Sequence, residues 1–578
     1  MASKLKKSGQ KLAKKISRFS HRAGTSGKEH VRENLIERLS HIRDVRLLIV
    51  EWSLIVLVVI ILASVQASWY SGSYSVSSFK NGGTYIEGTL GKVNSLNPLF
   101  ASTNSEKTIS RLLFASLTED DYSGHVGVGL AQTIRYDETA EKWTVKLRDG
   151  LKWSDGEPIT NEDVLFTVNL IQNPEVVSKY STALSGVKAS ETESGEILFE
   201  LPAPYVYFNA ALNFPILPKH ALENSDPKLL LESDFSKNPV SSGAFKFNAT
   251  QPVGTNGEVI IYLNANENYY KGKPQLSNFA VHAFLDNNAI LSALNSETIT
   301  ATAELSGKDS ERVTSKNILE LKASINSGVY AFLNTKSENL SNVVVRQAIQ
   351  KGIDLGKLRE AANSTMNLDY PILYSQADLT NWQAIPERND GFAKVALKEA
   401  GINETKVLTI VTINEANLPD VAENLAEQLR ELGFSANVTA YDYSQEFISN
   451  VINTRNYDIF LYDVELGVAP ELFSYYHSSQ TGSSGLNFSN YSNTIINDII
   501  LAVRETTDES LRNAKYESFI KTWINDVPAI AIYQPTISYY YNKNVRTFSE
   551  NINLVTSLDR FVEIETWATE KTSLNRTP

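Results

Sequence analysis

The side chains that most often carry out chemistry in proteins are scarce in this sequence. Cysteine is absent from all 578 residues, so the chain has no disulfide, no thiolate metal site, no cysteine nucleophile and no lipidated N-terminal cysteine. Histidine occurs only seven times. Outside a basic N-terminal tail the histidines are His125, His220, His282 and His477, which lie far apart in the sequence. Because ligands are so few, a nickel site is disfavoured, and we expect no metal and no cofactor.

Motifs of the common enzyme classes are also missing. The sequence contains no Gly-x-Ser-x-Gly, no His-Glu-x-x-His, no phosphate-binding Walker loop and no dinucleotide fingerprint. Carboxylates are so numerous that no pair stands out as a glycosidase site, although counting alone leaves that class open. We therefore expect a protein that is not an enzyme and has no catalytic residues.

Charge divides the chain into two unlike parts. Residues 1–46 carry 13 Lys or Arg and 4 Asp or Glu, a net charge of +9, whereas the remainder carries a net charge of −21. An acidic body argues against nucleic acid as a partner, because phosphate binding requires a basic surface. The basic tail has a single aromatic residue, Phe19, and so lacks the stacking groups of a single-strand binder.

An apolar segment separates these two parts. Residues 47–65 read LLIVEWSLIVLVVIILASV, interrupted only near the basic end by Glu51 and followed by Gln66 and Ala67. About 20 apolar residues span a bilayer, and the positive-inside rule places residues 1–46 in the cytoplasm. The segment 47–67 thus predicts a single-pass signal anchor, with the binding domain extracellular or periplasmic. A cleaved signal peptide and a buried core helix are the alternatives. Residues 68–81 are Ser-rich and predict a flexible tether.

The most distinctive block of the sequence is WTVKLRDGLKWSDGEPITNEDV at residues 143–164. Apolar and polar residues alternate from Trp143 to Leu147, as in a half-buried strand, and two Asp-Gly pairs then predict tight turns. Thr160 stands three residues before Asp163, which predicts a capping box at the start of a helix. Local chemistry therefore predicts a strand, two turns and a capped helix that ends before Pro174.

The C-terminal half contains the pattern of a parallel sheet. A β-rich run at residues 408–413 is followed by apolar residues at helical spacing from Val421 to Leu432, then Gly433 at a helix C-cap, then a second β-rich run at 437–441. This is a βαβ unit and predicts an α/β protein. Near the end, a second helical face is predicted from Leu511, Tyr516, Phe519, Ile520 and Trp523.

The distinctive block resembles the signature of the family 5 extracellular solute-binding proteins, the peptide- and nickel-binding subunits of ABC importers. The matching residues are Leu147, Arg148, Gly150, Trp153, Asp155, Gly156, Thr160, Asp163 and Val164. The resemblance continues in order with SLNPLF at 95–100, ILPKH at 216–220, PVSSGAFKF at 239–247, NENYYKGKPQL at 266–276 and VRQAIQKGID at 345–354. It covers about residues 82–570.

The resemblance implies an α/β clamp of two lobes, similar to a periplasmic binding protein, with an extra inserted subdomain. The apolar segment 47–67 adds one preceding transmembrane helix to this prediction. The expected order is a basic cytoplasmic tail (1–46), a transmembrane signal anchor (47–67), a tether (68–81), a first lobe in three segments (82–118, 236–330 and 535–578), an inserted subdomain (119–235) and a second lobe (331–534). The chain is expected to cross between lobes near residues 328–335 and 531–538. Ligand binding would then close the lobes about this hinge.

The resemblance also suggests where ligand binds. In peptide-binding relatives an Asp four residues before a Pro holds the peptide's ammonium group, but Leu466 occupies that position before Pro470. Asp463 and Glu465 are the nearest acidic candidates, with a solvated loop acid as the alternative. An Asn-rich loop adds Asn487, Tyr491 and Asn493, or these are turn residues, and the opening loop adds Asn97 and Phe100. The signature residues are expected to maintain the fold, and PAPYVYF at 202–208 is expected to be core or cleft wall.

The implied function is capture of short peptides for an ABC import permease. The implied partners are a short peptide, the permease subunits and the membrane, with no nucleic acid. The alternative is a membrane-anchored sensor, or a binder of another small solute such as a sugar, an amine or a metal complex.

Overall fold

The computed structural model describes residues 42–575, apart from 81, 139–140, 365, 379, 404, 443–444, 471, 484 and 550–551. Most of the predicted basic tail therefore lies outside the described residues. The chain divides into two compact units, residues 1–78 with 572–578, and residues 79–571.

A long helix dominates the first unit. Helix α1 (Ile42–Tyr74) has 33 residues, and its described side chains, from Val50 to Gln66, are all exposed. Within the part of the chain that the structure describes, no helix is both long enough and apolar enough to cross a bilayer. The predicted tether is not irregular, because α1 continues to Tyr74 and strand β1 (Ser75–Lys80) follows it. A helix that has already nucleated extends at little cost, which explains the difference.

Strand β1 pairs with the last strand of the chain in a separate two-stranded sheet. The second unit contains the other sheets of the protein. The remaining strands are β2 (Thr84–Leu90), β3 (Thr118–Asp120), β4 (Val126–Val128), β5 (Ala131–Asp137), β6 (Lys142–Leu147), β7 (Lys188–Glu191), β8 (Ile197–Glu200), β9 (Phe245–Val253), β10 (Glu258–Ala265), β11 (Asn278–Phe284), β12 (Ala301–Thr302), β13 (Ile318–Ile325), β14 (Ser327–Leu333), β15 (Val407–Ile413), β16 (Ser435–Tyr441), β17 (Ile459–Glu465), β18 (Ala529–Tyr533), β19 (Thr536–Asn542), β20 (Asn553–Leu554) and β21 (Glu570–Asn575).

Helices cover the faces of these sheets. The α-helices after α1 are α2 (Asn104–Leu113), α3 (Asn161–Gln172), α4 (Phe208–Ala211), α5 (Lys219–Leu222), α6 (Asn287–Asn295), α7 (Val343–Gly352), α8 (Leu355–Ala361), α9 (Asp390–Glu399), α10 (Leu418–Glu431), α11 (Gln445–Phe447), α12 (Leu472–Tyr476), α13 (Thr494–Glu505) and α14 (Glu509–Asp526). Short 3₁₀ turns include Pro98–Phe100, Gly307–Arg312 and Ser557–Phe561.

The first lobe is built on an eight-stranded sheet in the order β20-β13-β19-β12-β2-β11-β10-β9. Its strands come from distant parts of the chain, and a buried ion pair joins two of these parts. Glu87 of β2 lies 3.0 Å from Arg560 near the C-terminus, and both side chains are almost completely buried. Tyr539 of β19 donates a hydrogen bond of 2.7 Å to the same carboxylate. Buried charges of this kind are tolerated when each is paired.

The inserted subdomain carries the four-stranded sheet β5-β6-β8-β7, with α3 beside it. Its local structure matches the prediction: Trp143 and Val145 of β6 are buried, Gly150 and Gly156 have positive φ, and α3 begins after Thr160. The backbone N–H of Thr160 donates to Asp163 Oδ2 at 2.9 Å, which confirms the predicted cap.

The second lobe is built on the five-stranded sheet β16-β15-β17-β14-β18. Strands β15 and β16 are parallel and α10 packs on both, so the predicted βαβ unit is confirmed. Gly433 has φ of +107° after α10, as a helix C-cap requires. The predicted face of the last helix is buried on α14, with one exception. Leu511 is 61% exposed, because it lies in the first turn of α14, before the helix reaches the core.

The two lobes are joined by two short crossings. The chain passes from β13 of the first lobe to β14 of the second at Asn326, and returns from β18 to β19 at Gln534 and Pro535. These crossings lie within a few residues of the predicted ones. The domain boundaries and the hinge motion itself stay predictions.

Candidate ligand-binding cleft

The carboxyl edge of the second lobe's sheet faces the first lobe. Strands β15, β16 and β17 are parallel, and β14 runs antiparallel to β17, so their C-terminal ends meet the N-terminal end of β14. Both crossings to the first lobe also leave from this edge. It carries Ser327, Glu415, Asp463 and Glu465. In α/β proteins the carboxyl ends of parallel strands are the usual place for a ligand.

Asp463 has the most unusual environment of these residues. Its Oδ2 accepts a hydrogen bond of 3.4 Å from Ser327 Oγ, whereas its Oδ1 is buried and has no hydrogen-bond partner among the described residues. Burial raises the pKa of the carboxyl group to about 7, Ser327 opposes this shift, and the charges of Glu465 and Glu415 add to it. A carboxylate in this state gains from any donor or cation that reaches its free oxygen.

The other two carboxylates are more accessible. The side chain of Glu465 is exposed, and its backbone carbonyl accepts a hydrogen bond of 3.0 Å from Tyr475. Glu415 is also exposed to solvent, although protein atoms lie close around its carboxyl group. Partial desolvation raises the pKa of this group, and the charge of Lys107 lowers it. Exposure to solvent together with surrounding protein is what a cleft wall provides.

Two lysines stand on the opposite side of the cleft. Lys107 lies on α2, and Lys179 lies in the loop after α3, where its Nζ donates to the carbonyl oxygen of Ala101 at 3.1 Å. Desolvation lowers the pKa of Lys179 to about 8; Lys107 adds to this shift, and Glu465 of the second lobe opposes it. Lysines of the first lobe and of the inserted subdomain therefore face carboxylates of the second lobe.

A cavity of ≈ 430 Å³ also lies between the lobes. The second lobe contributes Gln376 and Pro470, and the opposite wall includes Gly124 and Tyr207. Gln376 holds its wall in place, because its Nε2 donates to the carbonyl oxygens of Leu466 and Gly467, each at 3.0 Å. The volume is in the usual range of about 300–1,000 Å³ for small-ligand sites.

The predicted Asn-rich loop lies within the second lobe. Asn487 is fully buried and bonds to the backbone of Tyr491 in both directions, at 2.9 and 3.1 Å. Tyr491 Oη and Asn493 Nδ2 both donate to Asp526 Oδ2, at 2.5 and 2.8 Å, and Asn493 also caps α13. The polar groups of these three residues are already hydrogen-bonded within the second lobe. This agrees with the alternative interpretation, in which they are turn and cap residues. We therefore leave all three out of the ligand site.

The opening loop contributes backbone and not side chains to the cleft. Asn97 is fully buried, where its Oδ1 accepts a hydrogen bond of 3.1 Å from the N–H of Leu99. Phe100 is half-buried and packs against the core of the first lobe. The adjacent carbonyl of Ala101 holds Lys179, so this loop positions a cleft residue.

The signature residues form hydrogen bonds with each other and with nearby backbone groups. Trp153 is fully buried with its Nε1 3.4 Å from Asp163 Oδ2, and Asp163 Oδ1 accepts from the N–H of Lys219 at 2.8 Å. Asp155 lies 2.9 Å from His220 of the Pro-Lys-His segment, and Arg148 Nε donates to the carbonyl of Gly129 at 2.7 Å. This geometry agrees with the structural role expected for them.

The distinctive block and its surroundings match a known sequence family. The pattern of the bacterial extracellular solute-binding proteins, family 5 (middle region), matches residues 126–485. The chain belongs to this family. The family comprises solute-binding proteins of ABC transporters and not enzymes, so the prediction that the chain is not an enzyme is confirmed.

Several relatives of known structure share the fold. The oligopeptide-binding protein AppA of Bacillus subtilis is 26% identical over 518 residues, which are 84% of this chain and 93% of AppA. Its structure in complex with a nonapeptide superposes with a TM-score of 0.69 at 23% identity, covering 85% of this chain and 100% of AppA. The substrate-binding protein CtaP of Listeria monocytogenes gives a TM-score of 0.75 at 25% identity, covering 85% and 100% of the two chains.

A further relative carries a different solute. NikZ of Campylobacter jejuni, solved in complex with Ni(L-His), gives a TM-score of 0.70 at 21% identity and covers 84% of this chain and 99% of NikZ. In this chain, no group of three His, Asp or Glu side chains within the described residues converges to hold a metal ion. The superpositions on these solved structures confirm the predicted two-lobed α/β fold.

Several residues of the cleft in this family member carry no signal in a sequence motif. Lys107, Lys179, Ser327 and Glu415 belong to no recognised motif. Glu415 could have been found, because it comes two residues after the predicted strand that ends at Ile413. Lys179 could not have been found, because only the tertiary fold brings its loop to the second lobe.

Proposed function

We propose that this protein captures short peptides between its two lobes and delivers them to an ABC import permease from a position anchored on the outer face of the cell membrane. The observation that carries the proposal is Asp463, whose buried Oδ1 has no hydrogen-bond partner among the described residues and lies at the sheet edge that faces the first lobe. Membership of a family of solute-binding proteins, and the oligopeptide-binding relatives, support the same function.

The charges of the cleft suit a zwitterionic ligand. A peptide's ammonium group would pair with Asp463, assisted by Glu465 and Glu415, and its carboxylate would approach Lys179 and Lys107 across the cleft. Such a ligand touches both lobes, and it therefore favours the closed state. Closure by rotation about Asn326 and Gln534–Pro535 follows from the position of the crossings.

Anchoring by α1 is the part of the proposal that concerns localisation. The exposed apolar side chains of Val50–Gln66 and the basic residues before them support it. The proposed segment 47–67 extends beyond the described side chains at both ends. Carbonate extraction of membranes tests this proposal: the full chain should remain in the membrane pellet, and the double variant Val58→Arg, Ile61→Arg should not. Release of the unaltered chain would contradict anchoring.

Mass spectrometry of the material that co-purifies with the full chain tests the ligand. We expect a mixture of short peptides after gentle denaturation. Asp463→Asn should weaken binding of a peptide with a free N-terminus about tenfold or more, and binding of the same peptide after N-acetylation much less. A single sugar, amine or metal complex in place of peptides would contradict the ligand assignment. Co-purification of permease subunits, as opposed to a cytoplasmic partner on residues 1–46, distinguishes an importer from a sensor.

A further inference from the structure

The loop Leu201–Tyr207 of the inserted subdomain reaches the second lobe. It connects β8 to α4 and contains Pro202 and Pro204, whose rings restrict its backbone. Trp143 Nε1 donates to the carbonyl of Tyr205 at 3.2 Å, and the Trp143 ring lies 6.3 Å from that of Phe208. The inserted subdomain therefore fixes the position of this loop.

At the tip of the loop, an arginine of the second lobe lies between two aromatic rings. The guanidinium carbon of Arg504 is 4.1 Å from the ring centroid of Tyr205 and 4.9 Å from that of Phe473. The N–H of Val206 donates to the carbonyl of Arg504 at 3.0 Å. Arg504 lies in the last turn of α13, where carbonyl groups have no partner within the helix, so the other lobe supplies one.

A second cation extends the contact. The guanidinium carbon of Arg512 lies 5.3 Å from the ring centroid of Tyr207, and its Nη1 donates to the carbonyls of Thr506 and Thr507, each at 3.0 Å. We name Tyr205, Val206, Tyr207, Phe473 and Arg504 the interlobe seam. None of its residues is among the charged residues of the cleft.

The wall of the cavity extends from the interlobe seam to the first crossing. Tyr207 of the seam lines one part of the cavity wall, and Gly124 lines another. A Cβ at Gly124 would lie 2.6 Å from Asn553 Nδ2 and 3.3 Å from Asn326 Nδ2, which places Gly124 against the first crossing. A rotation that opens the cavity about the crossings therefore separates the two halves of the seam.

We propose that the interlobe seam is a latch that holds the lobes together without ligand, and that its strength sets ligand affinity through the closure of the lobes. Cation–π contacts and a hydrogen bond across the seam favour the closed state whatever the ligand is. Only the statement about affinity depends on the proposed function. The latch itself is a property of the unliganded protein.

The absence of cysteine makes the latch directly measurable. Glu193→Cys in the inserted subdomain and Lys398→Cys in the second lobe, both exposed, provide the only two thiols of the full chain for a pair of dyes. Single-molecule energy transfer without ligand should show a mainly closed population. Arg504→Ala should reduce the closed-to-open ratio about tenfold, and Arg504→Lys should reduce it less.

The matched control removes a similar contact inside one lobe. Lys351 lies 4.2 Å from the ring centroid of Phe392, and both belong to the second lobe, so Lys351→Ala should leave the closed population unchanged. If Arg504→Ala does not fold, as judged by circular dichroism, Tyr205→Leu removes the same contact from the other side. An unchanged closed population in a folded seam variant would overturn the latch.

Calorimetric titration with trialanine and with pentaalanine tests the effect on affinity. Arg504→Ala should weaken the binding of both peptides by the same factor, about tenfold, because the seam acts on closure and not on the ligand. A loss for one peptide only would overturn the latch in favour of direct ligand contact. If neither peptide binds the unaltered chain, the peptide assignment fails, and the energy-transfer measurement still decides whether the seam is a latch.

Discussion

Because of Asp463, the free energy of unfolding of the second lobe should depend on pH. The folded-state pKa of about 7 lies above the value of about 3.9 in an unfolded chain. The unfolded chain therefore loses its proton first, and the free energy of unfolding falls as pH rises from about 4 to 7.

The substitution Asp463→Asn removes this fall in the free energy of unfolding with pH, because asparagine does not titrate. In chemical denaturation it should increase the free energy of unfolding by about 2 kcal/mol at pH 8 and by much less at pH 4.5. Glu193→Gln, at an exposed carboxylate, is the control and should give the same small change at both pH values. An equal effect of Asp463→Asn at both pH values would contradict a buried acid with a raised pKa.

The ion pair between Glu87 and Arg560 makes a second prediction for single residues. Arg560→Met leaves a buried carboxylate beside Tyr539 without its cation, and should cost about 3–5 kcal/mol in urea denaturation. The double variant Glu87→Gln, Arg560→Met should recover most of this loss, because no charge is then left buried. Additive costs in the double variant would show that the two side chains act independently.

At the scale of elements, the start of α3 should be held mainly by one carboxylate. Asp163 accepts hydrogen bonds from the backbone of Thr160 and Lys219, and lies 3.4 Å from Trp153 Nε1. Asp163→Ala should therefore destabilise the inserted subdomain by about 2–4 kcal/mol, with faster hydrogen exchange along α3.

The neighbouring residue provides a matched control. Glu162 is exposed and makes an ion pair of 2.7 Å with Lys219, so Glu162→Ala should destabilise the subdomain far less than Asp163→Ala does. Similar losses for Asp163→Ala and Glu162→Ala would contradict the assignment of the cap to Asp163.

The same elements show how far sequence could predict this protein. The cap of α3, the βαβ unit and Gly433 were predictable because their signals lie within a few residues and depend on local backbone chemistry. The cleft was predictable only in part, because Glu415 and Asp463 lie at the ends of two strands of one sheet, whereas only the tertiary fold brings Lys179 to that edge. For Asn487 and Asn493, the family resemblance suggested ligand binding, whereas the tertiary fold occupies their amide groups with backbone and with Asp526.

At the scale of the whole molecule, the lobes can approach closely at one point because a glycine there has no side chain. Gly307 of the first lobe has φ of +53°, and a Cβ there would lie 2.5 Å from Asn417 Oδ1 of the second lobe. Asn417 cannot move freely, because its Nδ2 donates to the carbonyl of Ala362 at 2.7 Å. Gly307→Leu should therefore keep the lobes apart, increase the radius of gyration in small-angle scattering and weaken ligand binding about tenfold or more.

Gly401 is the control for backbone strain. It also has positive φ, +79°, but apart from its chain neighbours no atom of the residues that the structure describes lies within 4 Å of its Cβ position. Gly401→Leu should lower stability as Gly307→Leu does, without changing the radius of gyration. Equal scattering curves for the two variants would contradict a contact that limits closure.

The interleaved sheet of the first lobe has a consequence for biosynthesis. Strands β19 and β20 pair with β12 and β13 in this sheet, so the first lobe cannot be completed until nearly the whole chain is available. The second lobe's sheet, by contrast, is built from the uninterrupted stretch 327–533. In a chain made from its N-terminus, β2, β9, β10, β11 and β12 can pair with one another early, whereas β13 must wait for β19 and β20 until the second lobe has been made. Assembly of the clamp is thus ordered in time, and the first lobe, which is begun first, is completed last.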